Sequence, residues 1–136
     1  MLKTLIVDDE FFNRRLLRKL LEPYGLCTEA TNGLEALREY RASIKTAPRF
    51  NLMLLDIMMP TMDGLEALAK IRILERENQI ADNDQIKVIM VTTLADQDSV
   101  LAAKEFDVAG YILKPYNRKR LMDEIQACGI TLPTGK

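Results

Sequence analysis

Five residues of this chain could handle phosphate, and each lies just after a short apolar run. The acids Asp8, Asp9 and Asp56 follow the first and second runs. Thr92 follows the third run, and Lys114 follows the fourth. Three carboxylates can hold a hard cation such as Mg²⁺, while a hydroxyl and an ammonium can stabilise a phosphoryl group. If the fold gathers these side chains, they predict a site for Mg²⁺-assisted phosphoryl chemistry.

The four apolar runs have the length and composition of buried parallel strands. They are Leu2–Val7, Leu52–Leu55, Val88–Val91 and Tyr111–Leu113. Runs this apolar are typical of strands that are covered on both faces. In an open α/β sheet, ligands bind beyond the carboxyl ends of the strands. Strands that lie side by side and point the same way would therefore bring the five side chains to one edge.

Helical patterns alternate with the apolar runs, and this order predicts βαβ units. A further strand is predicted at Leu26–Ala30, after a helix that Pro23 and Gly25 end. With right-handed crossovers, the chain is expected to form an α/β fold, a (βα)5 three-layer sandwich with a five-stranded parallel sheet. The helices are predicted from Phe12, Leu16, Leu17, Leu20 and Leu21; from a cap at Asn32 to about Ile44; from Leu65, Leu68, Ile71 and Leu74; at Asp98–Phe106; and from Leu121, Met122, Ile125 and Cys128.

The composition is that of an ordinary soluble globular protein. Of the 136 residues, 48% are hydrophobic and 29% are charged, and the net charge is −1, so a single domain is expected. This charge balance signals neither a nucleic-acid-binding face nor a membrane-binding face. Because no run is long enough to span a membrane and no signal peptide is recognisable, a cytoplasmic location is expected.

Histidine and cysteine limit the chemistry that this chain can perform. The absence of histidine excludes a Ser-His-Asp triad, a histidine metal ligand and a phosphohistidine on this chain. Cys27 and Cys128 fit no metal-binding spacing, and we interpret them as small hydrophobic residues rather than as a redox pair. A bound metal would need oxygen ligands, which favours Mg²⁺ or Mn²⁺ over Zn²⁺.

Each candidate residue also has an ordinary structural interpretation. Asp8 and Asp9 could cap the first helix, Thr92 could cap a later one, and Lys114 could be a surface amine. Asp56 is harder to explain, because an isolated acid among apolar neighbours costs stability unless it has partners. Carboxylates within about 5 Å repel by about 3 kcal/mol per pair at a dielectric near 20, so the cluster would hold a proton or bind a cation. A carboxylate can also attack phosphorus and form an aspartyl phosphate.

Taken together, the motifs resemble the receiver domains of bacterial two-component response regulators. The resemblance rests on the Asp8-Asp9 pair, on the segment 56–64 (Asp-Ile-Met-Met-Pro-Thr-Met-Asp-Gly), on Thr92 and on the segment 109–115 (Ala-Gly-Tyr-Ile-Leu-Lys-Pro). It implies a receiver domain at residues 1–128 and a short tail at residues 129–136. It also implies the flavodoxin-like strand order 2-1-3-4-5, in which the first and third strands are neighbours.

The resemblance implies a role for each site residue. Asp56 would accept a phosphoryl group from a phosphohistidine on a sensor histidine kinase or a histidine phosphotransfer protein. Mg²⁺, with Mn²⁺ as the alternative ion, would be held by Asp8, Asp9, Asp56 and the backbone carbonyl of Met58. Lys114 would bind the phosphoryl oxygens, and Thr92 would move to hydrogen-bond them. Tyr111 would then turn inward, and the Lys114–Pro115 bond is expected to be cis.

The same resemblance implies a signalling output rather than an enzymatic one. Phosphorylation would alter the face formed by the fourth helix, fifth strand and fifth helix, where a downstream protein would bind. A phosphorylation-dependent dimer is an additional expectation, whereas direct binding to nucleic acid or membrane is not expected. We expect a single-domain messenger, because the chain ends soon after the fifth helix.

Two other functions fit the same class of fold. A Mg²⁺-dependent phosphohydrolase with an aspartyl nucleophile is the main alternative, but haloacid-dehalogenase-like enzymes need a second Asp where this chain has Met58. A flavodoxin-like electron carrier would need a hydroxyl-rich loop after the first strand. The loop here begins with Asp8, Asp9 and Glu10, and these acids would repel a flavin phosphate.

Overall fold

The computed structural model describes residues 2–132, in which strands and helices alternate as predicted. The strands are β1 (Leu2–Val7), β2 (Gly25–Ala30), β3 (Leu52–Leu55), β4 (Lys87–Thr92) and β5 (Gly110–Leu113). The helices are α1 (Phe11–Leu21), α2 (Gly33–Thr46), α3 (Gly64–Glu77), α4 (Gln97–Glu105) and α5 (Arg118–Ala127). Short 3-10 turns lie at Glu22–Tyr24 and Asp82–Asp84.

The five strands form one parallel sheet in the order β2-β1-β3-β4-β5. Val7, the last residue of β1, is in register with Ala30 of β2 and with Leu55 of β3. Thr92, the last residue of β4, is in register with Leu113 of β5. The carboxyl ends of the strands therefore meet at one edge of the sheet, and the predicted fold class and strand order are confirmed.

Helices cover both faces of the sheet and bury two separate apolar layers. Successive strand residues point to opposite faces, so Leu5 and Met53 pack beneath α2, α3 and α4, whereas Ile6 and Leu54 pack beneath α1 and α5. This arrangement is the predicted three-layer sandwich. It fixes the strand ends, and with them the residues that follow each strand.

The apolar repeat of α1 is only partly buried. Leu17 and Leu21 lie in the core, but Phe12 is 78% exposed and Leu16 is 48% exposed. These two side chains lie outside the stripe that faces the sheet, because an apolar repeat gives the period of a helix but not the width of its buried face. The start of α2 agrees with prediction, since the Asn32 side chain accepts a hydrogen bond from the Glu35 N–H at 2.9 Å.

A buried polar network at the amino edge of the sheet was not predicted. The fully buried Glu75 carboxylate of α3 accepts hydrogen bonds from the Tyr40 hydroxyl, the Ile86 N–H and Arg72, each at 2.7 Å. Arg72 also donates to the carbonyls of Ile86 at 3.1 Å, Phe106 at 2.8 Å and Asp107 at 3.0 Å. The network joins α2, α3, the start of β4 and the end of α4.

Both cysteines are half-buried free thiols against the α1 and α5 layer, as expected for small hydrophobic residues. Burial raises the pKa of each thiol.

Of the predicted tail at 129–136, residues 133–136 lie outside the described part of the chain. Leu132 packs into the α1 and α5 layer. No helix within residues 2–132 is long and apolar enough to cross a membrane.

Candidate functional site

The three predicted acids meet at the carboxyl edge of the sheet. Asp8 and Asp9 follow β1, Asp56 follows β3, and these two strands are neighbours. One carboxylate oxygen of each acid lies within 4.8 Å of the other two. Asp8 and Asp56 are buried, whereas Asp9 is exposed. The cluster is therefore open to an incoming ligand from the Asp9 side.

Backbone contacts hold the two buried acids in place. The Asp8 N–H donates to the Ala30 carbonyl at 3.1 Å, and its Oδ1 accepts from the Glu10 N–H at 2.9 Å. The Asp56 N–H donates to the Val7 carbonyl at 3.0 Å. Each acid thus continues the sheet hydrogen bonding by one residue, which directs both carboxylates out beyond the strand ends.

Lys114 supplies the positive charge of the cluster. Its Nζ lies 2.7 Å from Asp8 Oδ2 and 3.0 Å from Asp56 Oδ2. Burial is the largest single influence on the Lys114 pKa and acts to lower it. Hydrogen bonds to Asp8 and Asp56, together with the negative charges of these two acids, outweigh burial and raise the pKa. The following bond to Pro115 is cis. Lys114 is therefore a charged donor that bridges two of the three acids.

The loop after β3 folds closely over Asp56. The Gly64 N–H donates to the Ile57 carbonyl at 2.9 Å. A Cβ atom on Gly64 would lie 2.1 Å from the Asp56 carbonyl oxygen, so only glycine fits at the start of α3. The Met58 backbone nitrogen lies 3.4 Å from Asp56 Oδ1. Met58 is 58% exposed. This loop leaves Met58 beside the acids with its side chain in solvent.

Thr92 and Tyr111 are connected through the backbone of one loop residue. The buried Thr92 Oγ1 accepts from the Leu94 N–H at 3.3 Å. The Tyr111 hydroxyl donates to the Leu94 carbonyl at 2.8 Å. Burial, and then the charges of Asp96 and Asp56, raise the pKa of Tyr111, so it stays a neutral donor. Thr92 and Tyr111 are both predicted site residues, and Leu94 connects them.

Arg14 also reaches the site and is held there by Glu29, and neither residue was predicted from the sequence. The Arg14 guanidinium donates to the Asp8 carbonyl at 2.9 Å and to the Glu29 carboxylate at 3.0 Å. The available signal was an acid inside the predicted strand Leu26–Ala30, following an arginine-rich helix. Burial is the largest single influence on the Glu29 pKa and acts to raise it. Hydrogen bonds from Arg18 and Arg14, together with the charges of Arg15 and Arg18, outweigh burial and lower the pKa.

The donor set suits Mg²⁺ better than other metals. Asp8, Asp9 and Asp56 offer only hard carboxylate oxygens, close enough to share one ion. Mg²⁺ is usually bound by one or two carboxylates, several waters and a phosphate oxygen. The exposed Asp9 leaves room for waters and for phosphate. The site can therefore accommodate Mg²⁺ beside a carboxylate nucleophile and a lysine donor.

Known proteins of similar sequence and structure align over nearly the whole chain. The chemotaxis protein CheY of Listeria monocytogenes is 35% identical over 128 residues, which are 93% of this chain and 97% of that protein. Sporulation initiation phosphotransferase F of Bacillus subtilis is 32% identical over 125 residues, 91% of this chain and 90% of that protein. A chain of the CheX-CheY-BeF3-Mg complex from Borrelia burgdorferi has a TM-score of 0.78 at 26% identity, covering 96% of this chain and 90% of that chain.

The family assignment rests on sequence and fold together. The sequence model of the response regulator receiver domain matches residues 4–126. The strand order β2-β1-β3-β4-β5 agrees with the flavodoxin-like order expected for this family. The resemblance noted from the sequence motifs is thereby confirmed. The chain belongs to the response regulator receiver domains, a family of phosphorylation-activated signalling switches.

Proposed function

We propose that this chain is a two-component phosphorelay switch that is phosphorylated on Asp56. The donor is a phosphohistidine on a sensor histidine kinase or a histidine phosphotransfer protein. One observation carries the proposal: the carboxylates of Asp8, Asp9 and Asp56 converge within 4.8 Å, and Lys114 bridges two of them. Such a cluster combines a nucleophile, cation ligands and a donor for phosphoryl oxygens.

The reaction transfers the phosphoryl group between two side chains. An Asp56 carboxylate oxygen forms a bond to phosphorus while the bond from phosphorus to the donor histidine nitrogen breaks. The nitrogen keeps the electron pair of the broken bond. Asp8, Asp9, Asp56 and the Met58 carbonyl would hold Mg²⁺, which offsets the negative charge of the carboxylates and phosphate when bound. The Lys114 ammonium then shifts its hydrogen bond from the Asp56 carboxylate to the new phosphoryl oxygens.

The signal passes from Asp56 to Tyr111 through Leu94. Thr92 turns its hydroxyl toward the phosphoryl group and releases the N–H of Leu94. The carbonyl of the same residue accepts a hydrogen bond from Tyr111. Charge-assisted hydrogen bonds of about 1.5–3 kcal/mol each can together approach the ~5.5 kcal/mol that inverts a 1:99 equilibrium. Tyr111 then moves inward and alters the surface of α4, β5 and α5.

A groove on that surface is the proposed binding site for the downstream protein. It has a volume of about 680 Å³ and is bordered by Val100 of α4, Tyr111 and Leu113 of β5, and Arg120 of α5. Tyr111 is therefore both a wall of the groove and a partner of the loop beside Asp56. Inward rotation of Tyr111 would change the shape of the groove directly.

The Leu94 amide should report this switch. With beryllofluoride and Mg²⁺ as a phosphoryl mimic, hydrogen exchange at the Leu94 N–H should rise roughly fivefold, because one hydrogen bond of about 1 kcal/mol is lost. Amide exchange measured by NMR tests this. The Glu35 N–H, which is bound by Asn32, serves as the unaffected control. Exchange at Leu94 that stays constant would contradict a Thr92 movement.

Phosphorylation itself is tested with a small-molecule donor. Incubation with acetyl phosphate and Mg²⁺ should add one phosphoryl group to the intact mass, because the site carries its own nucleophile and cation ligands. The Asp56→Asn variant should gain none. Asp63→Asn is the matched control, since Asp63 caps α3 in the same loop and should be labelled normally. Equal labelling of wild type and Asp56→Asn would place the acceptor elsewhere.

No observation favours the two alternative functions. Met58 stands two positions after Asp56 with an apolar, exposed side chain, so it cannot be the acid that a phosphohydrolase would need. Asp8 and Asp9 would repel a flavin phosphate in the loop after β1, where a flavodoxin-like protein would need hydroxyl groups. We propose that the chemistry of this chain is limited to its own phosphorylation and dephosphorylation. The domain bounds 1–128, the cytoplasmic location, the phosphorylation-dependent dimer and the lack of direct nucleic-acid binding stay predictions.

A further inference from the structure

We propose that Arg14 is a positioning residue that sets the direction of the Asp9 carboxylate by holding the Asp8 carbonyl. This inference rests on the Mg²⁺ site proposed above. It adds to that site two residues that bind neither metal nor phosphate, Arg14 itself and the Glu29 carboxylate that holds it. The juxtaposition that carries it is one guanidinium bound to the end of β1 and to β2 at once.

Two different nitrogens of the Arg14 guanidinium are hydrogen-bonded. Its Nη1 lies 2.9 Å from the Asp8 carbonyl oxygen, and its Nε lies 3.0 Å from Glu29 Oε1. Only 12% of the side chain is exposed. A guanidinium presents its donors in a rigid fork, so fixing Nε on Glu29 also fixes where Nη1 points. The two donors lie on separate nitrogens of this rigid plane, an arrangement that the single ammonium nitrogen of lysine does not reproduce.

The Asp8 carbonyl controls the residue that follows it. A carbonyl oxygen and the next N–H lie in one peptide plane, so a hydrogen bond to the Asp8 oxygen fixes the orientation of the Asp9 backbone. On the other side, the Asp8 N–H is already held by Ala30. Within residues 2–132 no side chain donates to the Asp9 carboxylate, which is exposed. Its direction toward Asp56 therefore depends on the backbone that Arg14 holds.

Glu29 keeps Arg14 in place and also pairs with two other arginines, with which Arg14 can be compared. This carboxylate, 13% exposed, lies 2.8 Å from Arg18 Nη1 and 3.1 Å from Arg15 Nε, in addition to Arg14. The three arginines carry the same charge and share the same acid. Of these three, only Arg14 also reaches Asp8. A role that depended on positive charge beside Glu29 would be shared with Arg15, whereas a positioning role would not.

The test is Mg²⁺ affinity measured by isothermal titration calorimetry on the whole chain. Arg14→Lys, which keeps the charge, should weaken Mg²⁺ binding about tenfold, as loss of a residue supporting a metal ligand typically does. Glu29→Gln, which keeps Arg14 but loosens it, should weaken binding in the same direction. Arg15→Lys is the matched control and should bind Mg²⁺ like wild type. Cooperative thermal unfolding of each variant shows that the binding values refer to folded protein.

The Mg²⁺ affinities of the variants decide whether Arg14 is a positioning residue. Wild-type Mg²⁺ affinity in Arg14→Lys would overturn the inference, because charge alone would then suffice. Equal weakening in Arg14→Lys and Arg15→Lys would also overturn it, since the effect would belong to the whole arginine group. If Arg14→Lys does not fold, wild-type affinity in Glu29→Gln overturns it instead. Wild-type protein that binds no Mg²⁺ would remove the proposed metal site itself, and the inference with it.

Discussion

Replacing Glu75 by alanine should lower the free energy of unfolding by about 3–5 kcal/mol, because it leaves a buried charge without its partner. Glu75 has no exposed surface, and Arg72 is only 6% exposed. The substitution also removes the acceptor for the Tyr40 hydroxyl and the Ile86 N–H. Urea unfolding followed by circular dichroism measures the loss.

Two further variants separate the ion pair from the packing around it. The double variant Arg72→Met with Glu75→Leu removes both charges. It should recover the part of the loss that comes from the unpaired arginine, but not the part that comes from the Tyr40 hydroxyl and the Ile86 N–H. Tyr40→Phe should cost about 1.5–3 kcal/mol, the net value of one hydrogen bond to a charged group. Asp56 labelling by acetyl phosphate should persist in folded Glu75→Ala, because the network lies at the opposite edge of the sheet. If Glu75→Ala were as stable as wild type, the buried network around Glu75 would not stabilise the fold.

Replacing Lys114 by methionine should affect both stability and phosphorylation. Without the ammonium, the buried Asp8 and Asp56 carboxylates lose their counter-charge, and the free energy of unfolding should fall by about 3 kcal/mol. Mg²⁺ should restore part of this loss, since it binds the same acids in the folded state. The rate of labelling by acetyl phosphate should fall about 100-fold, as when one donor to a developing charge is removed.

Lys119→Met is the matched control for the lysine prediction. Lys119 is 83% exposed and pairs with Asp123 on the surface of α5, so its loss should change stability by less than about 0.5 kcal/mol. Its labelling rate should equal that of wild type. If Lys114→Met behaves like Lys119→Met in both measurements, the bridge between Asp8 and Asp56 has no functional role.

The fold was predictable because its signals are local. The apolar runs ending at Val7 and Leu55 define strands from a few neighbouring residues, and the intervening helical repeats define the crossovers. The order of the strands came from the family resemblance rather than from periodicity. With that order, the prediction that Asp8 and Asp56 lie on adjacent strands follows directly.

The parts that sequence analysis missed depend on contacts between distant residues. Glu75 and Arg72 look like an ordinary solvated pair on a helix, and only the packing of α3 against α2 and β4 shows that they are buried. Arg14 likewise looks like a surface residue of α1 until β2 brings Glu29 beneath it. Phe12 shows the opposite error, because an apolar residue in a helical repeat can still lie outside the buried stripe.

Asp56 is the residue that we propose receives the phosphoryl group. The most direct measurement is borohydride reduction of protein treated with acetyl phosphate and Mg²⁺, followed by peptide mass mapping. Borohydride converts an aspartyl phosphate to homoserine and leaves a free carboxylate unchanged. We expect homoserine at position 56, formed only when Mg²⁺ is present. Homoserine at Asp8, Asp9 or any other acid, or its absence from position 56, would contradict it.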